Sequence, residues 1–411
     1  MKRDLDRLMA ERGIDAAVVM GGVRDNPTMY YLTNGAKLSH ATVIKRRGEA
    51  PVLFHASMER DEAAKSGLTT RDLGDYNFRK FIEEAQGDRL QATILLYTRL
   101  FEELGVQGRV AFYGRREQGA SYVFLRALDA ALPQIEVVGE FDNDIFAVAQ
   151  ATKDAEEVAR IREVGRRVSQ IMADVVRFLR RHPTANGALV REDGSPLTVG
   201  DVKQFVRARL FENRLEDPEE MIFAIGRDAG VPHSHGEDDA PLRLGQTIVF
   251  DLFPQEAGGG YFFDMTRTFC LGYAPPEVER AYRDVLDCFN EVVAALRPGA
   301  ATRRYQVMAC ELFEARGHPT VKSDPTTKEG YVHSLGHGLG LEIHGRPIFA
   351  DVPGNEDTLQ PGVVFTVEPG LYYPEQGFGI RIEDTFWLDE DGRFHNLTDF
   401  PKDLVIPVAG A

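Results

Sequence analysis

Long hydrophobic runs and paired cysteines are both missing from this chain of 411 residues. No apolar segment approaches the ~18 residues that a membrane-spanning helix requires, so we expect no membrane partner. The first 15 residues, MKRDLDRLMAERGID, lack the apolar core of a signal peptide, and we expect none. The cysteines lack the paired spacing of a disulfide frame or a metal site, and they indicate buried, reduced thiols in a cytoplasmic protein: Cys270, Cys288 and Cys310.

Positive charge is scarce as well. The chain has 48 basic against 64 acidic residues, a formal net charge of −16. An acidic surface repels phosphate backbones, which excludes nucleic acid as a partner. Apolar residues make up 43% of the chain, enough for a sizeable core, and the length predicts one very large domain or two ordinary ones.

The first ~145 residues have the pattern of an α/β unit, in which short apolar strands alternate with helical stretches. The segment contains neither a glycine-rich phosphate loop nor a cluster of catalytic residue types, so we interpret it as a structural or substrate-capping domain. The predicted strands are Asp15–Met20, Ala41–Ile44 and Pro51–Phe54, and the predicted helices include Asn77–Ala85 and Gly119–Leu132.

A domain boundary is predicted between Ala147 and Asp154. After it, apolar residues recur every three or four positions from Val158 to Leu179, which predicts an amphipathic helix with Asp154 as its N-cap. Strand pairs rich in Val, Ile and Phe follow, and we therefore predict an α+β protein with domains at 1–147 and 152–411. Further helices are predicted at Val199–Asn213, Pro276–Leu296 and Ala301–Arg316.

Two strands of the second domain each carry an aspartate inside apolar sequence. Asp251 lies within TIVFDLF, and Asp264 lies within YFFDMTRTF, with three glycines at 258–260 to reverse the chain between them. A continuous apolar run predicts a buried strand. A buried, unpaired carboxylate costs several kcal/mol, so each aspartate needs a partner or must change its protonation state.

The same arrangement recurs downstream. Glu368 lies within VVFTVEPGLYY and Glu383 within GIRIEDTF, and glycines again supply the reversal. The similar endings MTRTF and IEDTF hint at an internal repeat. Lys or Arg could neutralise one isolated buried acid, but four acids and an imidazole favour metal. Such an oxygen-rich set with one nitrogen suits Mn²⁺, Co²⁺ or Zn²⁺, and two divalent ions would balance four carboxylates.

The segment HSLGHGLGLEIHGRP supplies histidines among glycines. His333 and His337 have the spacing of one helical face, but the glycines make a helix improbable, and no glutamate follows His333 as a His-Glu-x-x-His zinc site requires. Extended backbone that approaches a crowded centre fits better. One histidine would then be a ligand while the others line the cavity.

These residues together resemble the pita-bread metallopeptidases, a family that includes methionine aminopeptidases, Xaa-Pro aminopeptidases and prolidases. The phrases DMTRTF, GHGLGLEIH, VEPGLY and GIRIEDT carry the resemblance, which covers about Thr152 to Pro407. It implies a C-terminal pita-bread domain after an N-terminal α/β domain of the creatinase/prolidase type, as in the proline-directed branch. The five metal ligands that it implies are Asp251, Asp264, His337, Glu368 and Glu383.

The resemblance also implies a role for each residue. Asp264 and Glu383 would bridge two ions, Asp251 would bind one of them, and His337 and Glu368 the other. Glu368 would also move a proton. The further catalytic residues that it implies are His233, with His235 as an alternative, together with His333, His344 and Arg381; Arg381 could instead be only a charge partner of Asp384 or a neighbouring acid. Arg346 is a candidate for holding a dipeptide's carboxylate, although its register differs from that of the usual prolidase arginine.

The activity implied is cleavage of a Xaa-Pro bond at the N-terminus of dipeptides or short peptides by a metal-bridging hydroxide. We expect two ions per chain, Mn²⁺ first, in a cytoplasmic homodimer. Dipeptidase and aminopeptidase remain open at this point. The alternatives are a methionine aminopeptidase or other pita-bread hydrolase, a dinuclear phosphoesterase, and a non-catalytic pita-bread binding module.

Overall fold

The computed structural model describes residues 4–409. The first three residues of the N-terminal segment and the last two of the predicted second domain therefore lie outside the described residues. The chain divides into two compact units, Met1–Gln150 with Gly258–Gly260, and Ala151–Ala257 with Tyr261–Ala411. None of the helices between residues 4 and 409 combines the length and the apolarity needed to cross a bilayer.

The first unit is built on one mixed sheet. Its strands are β1 (Ala16–Gly21), β2 (Ala41–Arg46), β3 (Val52–His55), β4 (Thr69–Asp72), β5 (Gly108–Tyr113) and β6 (Ile135–Val138). Its helices are α1 (Leu5–Glu11), α2 (Pro27–Thr33), α3 (Arg60–Ala64), α4 (Phe78–Glu84), α5 (Arg89–Leu104), α6 (Gln118–Ala131) and α7 (Ile145–Ala151), with 3₁₀ turns at Ser57–Glu59 and Leu73–Tyr76.

The strand order β4-β3-β2-β1-β5-β6 explains the sequence of β1. This strand is paired on both edges, by antiparallel β2 and parallel β5, and its residues Ala16–Met20 are all buried, which explains its apolar sequence. Tyr97 and Phe101 of α5 and Phe124 and Leu128 of α6 belong to the same apolar cluster as β1 residues such as Val18. The predicted strands and helices of this segment are therefore present, with ends shifted by one or two residues.

The second unit contains longer helices and several small sheets. Its helices are α8 (Ala155–Arg181), α9 (Val199–Glu212), α10 (Pro276–Ala295) and α11 (Arg303–Ala315), with 3₁₀ turns at Asp228–Gly230 and Pro374–Gln376. Its strands are β7 (Thr184–Ala185), β8 (Ala188–Leu189), β9 (Leu215–Glu216), β10 (Ile222–Ile225), β11 (Thr247–Leu252), β12 (Gln255–Glu256), β13 (Met265–Leu271), β14 (His337–Gly338), β15 (Gly345–Ile348), β16 (Val364–Val367), β17 (Gly370–Tyr373), β18 (Phe378–Arg381), β19 (Asp384–Leu388), β20 (Phe394–Asn396) and β21 (Val405–Ile406).

Local sequence sets the start of α8. The Asp154 side chain accepts hydrogen bonds from the N–H groups of Glu156 and Glu157, and the Glu157 side chain bonds back to the N–H of Asp154. This capping box satisfies N–H groups that the first turn leaves without partners. The predicted N-cap is thus confirmed, and the buried stripe from Val158 to Leu179 follows the predicted period.

Three sheets of this unit matter for the site. They have the orders β10-β11-β13-β21, β15-β14-β16-β19-β20 and β17-β18. One apolar cluster joins residues of α10 and α11 to residues of β13 and β16–β19. This core supports strands that bring acidic side chains together from distant parts of the sequence.

Candidate metal centre

The first pair of aspartates comes from neighbouring strands. Strands β11 and β13 are antiparallel, and Asp251 pairs with Thr266 across them. Asp264 directly precedes β13. Both aspartates are less than 10% exposed and line a cavity of about 460 Å³. The register thus places Asp251 opposite Thr266, and Asp264, two residues before Thr266 and just outside the strand, shares the cavity with Asp251.

The second pair of acids lies where two strands break. The sequence predicts continuous strands through Glu368 and Glu383, but β16 ends before Glu368 and β17 starts after Pro369, while β18 and β19 leave Ile382 and Glu383 between them. Prolines cannot donate to a strand ladder, and Pro369 therefore favours an interruption at this point. The two continuous strands were a wrong prediction, and the breaks turn both glutamates into the cavity.

The two halves of the site are bonded to each other directly. The Glu383 N–H donates to the carbonyl of Thr266 at 3.1 Å, and the Thr266 hydroxyl donates to Glu383 Oε2 at 2.7 Å. A third bond comes from the half that contains Glu383, where the Thr385 hydroxyl donates to the carbonyl of Asp264 at 2.8 Å. These bonds hold Asp264 and Glu383 next to each other.

His337 lies on extended backbone, as the glycines predict. It begins the short strand β14, which pairs with β15 and β16. A side chain at Gly336 would collide with the carbonyl of Thr366, and one at Gly338 with the carbonyl of Arg346. The glycines therefore permit a close approach of three strands, which brings the His337 ring to the cavity.

The His337 ring faces the carboxylates. Its Nδ1 lies 3.2 Å from the carbonyl oxygen of Gly338, so the tautomer with the proton on Nδ1 fits this contact. Nε2 then points its lone pair at Asp264 Oδ2, 3.6 Å away, and at Glu368 Oε1, 3.5 Å away. A neutral imidazole fixed through its other nitrogen is the usual form of a metal-ligating histidine.

The electrostatics of these groups depend strongly on burial. Burial, and then the charge of Glu383, raises the pKa of Asp264 well above its ordinary value. Burial, and then Glu368, does the same to the pKa of Glu383. Burial raises the pKa of Glu368 to about 8 and lowers the pKa of His337 to about 3. Without a cation, the buried acids of this centre therefore bind protons more readily than free acids do, and the imidazole of His337 is neutral.

Unpaired oxygen atoms identify where a cation would fit. Within residues 4–409, Asp251 Oδ1, Asp264 Oδ1 and Glu383 Oε1 are buried without a hydrogen-bond partner. One donor atom each from Asp264, His337 and Glu383 lies within 4.8 Å of the others. Buried polar atoms are normally bonded, and carboxylate oxygens with one imidazole nitrogen match Mn²⁺, Co²⁺ or Zn²⁺. The residues present therefore fit a divalent metal centre.

Arg381 is bonded inside this centre. Its Nη2 lies 2.5 Å from Asp251 Oδ2, its Nε donates to the Thr266 hydroxyl at 3.1 Å, and its Nη1 donates to the Tyr372 hydroxyl at 2.9 Å. Its charge partner is therefore Asp251. Asp384, the other partner considered, pairs with Arg267 and Lys402 instead.

The remaining predicted histidines all line the cavity but differ in their bonding. His333 uses both ring nitrogens, with Nδ1 2.7 Å from the Ser334 carbonyl and Nε2 2.9 Å from the Tyr372 hydroxyl. His235 Nδ1 lies 3.2 Å from the Met221 carbonyl. His233 and His344 form no hydrogen bond within the described part of the chain, which leaves their rings available to a bound molecule.

Arg346 does not reach the cavity, contrary to expectation. It is absent from the described residues that line the cavity, and its Nε donates to Asp357 Oδ1 at 2.9 Å. The Asp357 carboxylate also accepts from the N–H of Ile348 at 2.8 Å, so the pair fastens the end of β15. A spacing of two residues puts side chains on one face of a regular strand, but His344 precedes β15 and lines the cavity, whereas Arg346 lies within β15 and bonds Asp357.

Two residues that bond the site were missed from the sequence. Tyr372 joins Arg381 to His333, and Thr266 joins Arg381 to Glu383. Both are fully buried. Polar groups in otherwise apolar strands were the available signal, because a buried hydroxyl needs a partner.

Protein stripped of metal is expected to lose stability as the pH rises from 6.5 to 8. The raised pKa values of Asp264, Glu368 and Glu383 mean that the folded state holds more protons than the unfolded chain, so the free energy of unfolding falls with rising pH. The lowered pKa values of His333 and His337 act in the opposite direction, but only below about 6.5. For each proton that only the folded state binds, the free energy of unfolding falls by roughly 2 kcal/mol between pH 6.5 and 8.

Urea unfolding in a chelating buffer at both pH values measures this change. Protein saturated with Mn²⁺ serves as the control, because a cation keeps the carboxylates ionised and removes the dependence. Metal-free protein with constant or rising stability across the window would contradict the prediction.

Comparison with known proteins gives a consistent result. The model of metallopeptidase family M24 matches residues 159–390. The chain is 35% identical over 182 residues to a putative dipeptidase of Bacillus subtilis, covering 44% of this chain and 46% of that protein. It is 32% identical over 186 residues to a Xaa-Pro dipeptidase of Pyrococcus furiosus, covering 45% and 49%. The chain thus spans about half the length of these curated relatives.

A solved structure extends the likeness to nearly the whole chain. The Xaa-Pro dipeptidase from Bacillus anthracis matches with a TM-score of 0.76 at 21% identity, covering 98% of this chain and 99% of that one. At this identity the likeness establishes the fold, an N-terminal α/β unit followed by the helix-and-sheet unit that holds the carboxylates. With the family model matching more than half of its residues, the chain belongs to metallopeptidase family M24.

Proposed function

We propose that this protein is a dinuclear metal-dependent peptidase of the proline-directed branch, which hydrolyses the Xaa-Pro bond at the N-terminus of dipeptides or short peptides. The observation that carries the proposal is the set of three buried, unpaired carboxylate oxygens in a histidine-lined cavity. Family membership and the name of the Pyrococcus furiosus relative support the reaction and the substrate class.

The proposed ligands are the five residues that converge on the cavity. Asp264 and Glu383 are bonded together through Thr266 and Thr385, which suits two bridging groups. Asp251 would hold one ion, and His337 with Glu368 the other. Two Mn²⁺ ions, when bound, lower the pKa of water and polarise the scissile carbonyl.

The other cavity residues have proposed roles in binding and proton transfer. Glu368, beside the centre, accepts or shuttles the proton of the attacking water. His233 and His344, whose rings are free, donate hydrogen bonds to the substrate carbonyl and the oxyanion. We prefer His233 to His235, because the Met221 carbonyl engages one nitrogen of His235. The substrate's amino group lies near Asp251, which limits removal to one residue.

The basic residues of the cavity bear on substrate length. Among the described lining residues, Arg381 is the one Arg or Lys, and Asp251, Thr266 and Tyr372 already bind its guanidinium. A dipeptide's carboxylate would need a cation when desolvated, whereas a longer peptide presents an amide. Glu219 on the cavity wall also repels a carboxylate. We therefore propose that peptides longer than two residues are the better substrates.

A substrate panel tests these proposals. With Mn²⁺-loaded protein we expect release of alanine from both Ala-Pro and Ala-Pro-Ala, with a kcat/KM about tenfold higher for the tripeptide. Ala-Ala-Ala, Met-Ala-Ala and a phosphomonoester are the matched non-proline controls. Preferred cleavage of Met-Ala-Ala or the phosphomonoester would replace the proposal by another hydrolase, and cleavage of none would favour a binding module. A higher kcat/KM for Ala-Pro would reverse the assignment of substrate length.

We also propose a cytoplasmic location and a homodimeric state. The described cysteines are all free and buried, which suits a reducing compartment such as the cytoplasm. A homodimer, with domains at 1–147 and 152–411, is proposed from the resemblance to the family. Cell fractionation and sedimentation velocity would test location and dimer, and limited proteolysis between the proposed domains would test their boundary.

A further inference from the structure

The buried amide of Gln306 on α11 makes an unexplained connection to the cavity. Gln306 is 4% exposed and lies on the helix face that also buries Tyr305, Ala309, Cys310 and Phe313. An amide on such an apolar face is costly unless its donors and acceptors are used. Its partners therefore indicate why glutamine occupies this position.

All the hydrogen-bonding positions of this amide are occupied. Oε1 accepts from the N–H of Leu335 at 2.6 Å and from the Tyr331 hydroxyl at 3.1 Å. Nε2 donates to the carbonyl of His333 at 3.1 Å and contacts Cys310 Sγ at 3.8 Å. A main-chain N–H can only donate and a carbonyl can only accept, so these partners fix which end of the amide is oxygen.

The amide thus holds the main chain on both sides of Ser334, as a neighbouring strand would. The Ser334 carbonyl in turn lies 2.7 Å from Nδ1 of His333 and orients that ring. The Leu335 carbonyl accepts from the N–H of Glu368 at 2.8 Å. A line of hydrogen bonds therefore runs from α11 to a cavity histidine and to a proposed ligand.

We propose that Gln306 is a positioning residue for the reaction, which holds the 333–335 main chain so that His333 and Glu368 keep their places. Gln306 is not among the described residues that line the cavity, so it acts through these neighbours. The kinetic consequence rests on the proposed function, whereas the structural consequence does not.

Gln306→Met removes the hydrogen bonds at nearly constant volume, and Gln306→Glu retains an acceptor for Leu335. On Ala-Pro-Ala we expect kcat of the methionine variant to fall at least ~10-fold, with KM within about twofold, because misplacing catalytic groups raises the barrier more than it weakens binding. The glutamate variant should lie between the methionine variant and the wild type.

Tyr305→Phe is the matched control. It removes a buried hydroxyl from the adjacent residue of α11, one that accepts from the N–H of Arg297 at 2.9 Å, away from the cavity. This variant should lose stability to a similar degree but keep its kcat. An equal loss of kcat in both variants would mean that α11 packing alone matters, and would overturn the proposal.

Two measurements do not depend on activity. Hydrogen exchange of the chelated protein should be faster in Gln306→Met for the amides of Leu335 and Glu368, and the affinity for Mn²⁺ should fall about tenfold, as for other residues that orient ligands. If the wild type cleaves no Xaa-Pro substrate, the proposed function fails and these two measurements still decide the role of Gln306. Unchanged hydrogen exchange at Leu335 and Glu368 in Gln306→Met, or an unchanged kcat of that variant in an active enzyme, would overturn the positioning role of Gln306. If the methionine variant does not fold, the same criteria apply to Gln306→Glu.

Discussion

Asp264→Asn is expected to abolish binding of both divalent ions and to lower kcat roughly 10³-fold on a Xaa-Pro substrate. Asp264 Oδ2 lies 3.6 Å from His337 Nε2, and one ligand atom each of Asp264, His337 and Glu383 lies within 4.8 Å of the others. In its proposed bridging role Asp264 would serve both ions, so a neutral amide at this position would weaken the binding of both. The loss of several kcal/mol of metal-derived stabilisation corresponds to roughly 10³ in rate.

The same substitution should have the opposite effect on metal-free protein. Burial, and then Glu383, raises the pKa of Asp264, so a carboxylate at this position destabilises the folded state at neutral pH unless a cation is bound. In chelating buffer we therefore expect Asp264→Asn to melt at a higher temperature than the wild type. Added Mn²⁺ should raise the melting temperature of the wild type only.

Metal content by mass spectrometry, Tm with and without Mn²⁺, and kcat measure these effects together. Asp284→Asn is the control, because Asp284 bonds His318 outside the cavity-lining residues. It should keep two ions and normal activity. Two ions retained by Asp264→Asn, or full activity of chelated wild type, would rule out the proposed role of Asp264.

The strand breaks beside Glu368 and Glu383 are features that the sequence alone did not predict. The continuous apolar run around Asp251 correctly predicted β11, whereas the strand predicted at Tyr261–Phe269 began too early, because β13 starts at Met265 and Asp264 lies just before it. Pro369 was a local signal for an interruption beside Glu368, but the separation of β16 and β17 into different sheets is a property of the folded chain. The four acids were therefore identified from the sequence, while the backbone conformation around three of them was not.

Side chains that act through other residues were the hardest to predict. Arg346 follows His344 closely in sequence but bonds Asp357, while Gln306 lies 27 residues before His333 and bonds its carbonyl. Its closeness to His344 in the sequence made Arg346 a candidate for the site, whereas the distance of Gln306 from His333 in the sequence gave no hint of their contact. The signal for Gln306 was a polar residue on the apolar face of α11, which indicates a buried partner but not which partner.

His344→Ala is expected to lower kcat about 10²-fold on Xaa-Pro substrates while both metal ions remain bound. The ring lines the cavity and contacts His337 edge to face, with centroids 4.6 Å apart, and it forms no hydrogen bond within the described part of the chain. Burial, and then the nearby His233, lowers the pKa of His344, so the imidazole is neutral at pH 7 and can donate from one nitrogen. One donor aimed at a developing oxyanion contributes about this factor.

The metal content decides between this role and a role as ligand. Loss of an ion together with activity would assign His344 to the metal centre, and an unchanged rate would remove it from the reaction. His395→Ala is the matched control, because this ring bonds Asp389 at 2.6 Å outside the described cavity lining, so its loss should leave kcat and metal content unchanged. In His344→Ala, a fall in kcat with KM preserved would place the lost hydrogen bond in the transition state, whereas a rise in KM alone would place it in the ground-state complex.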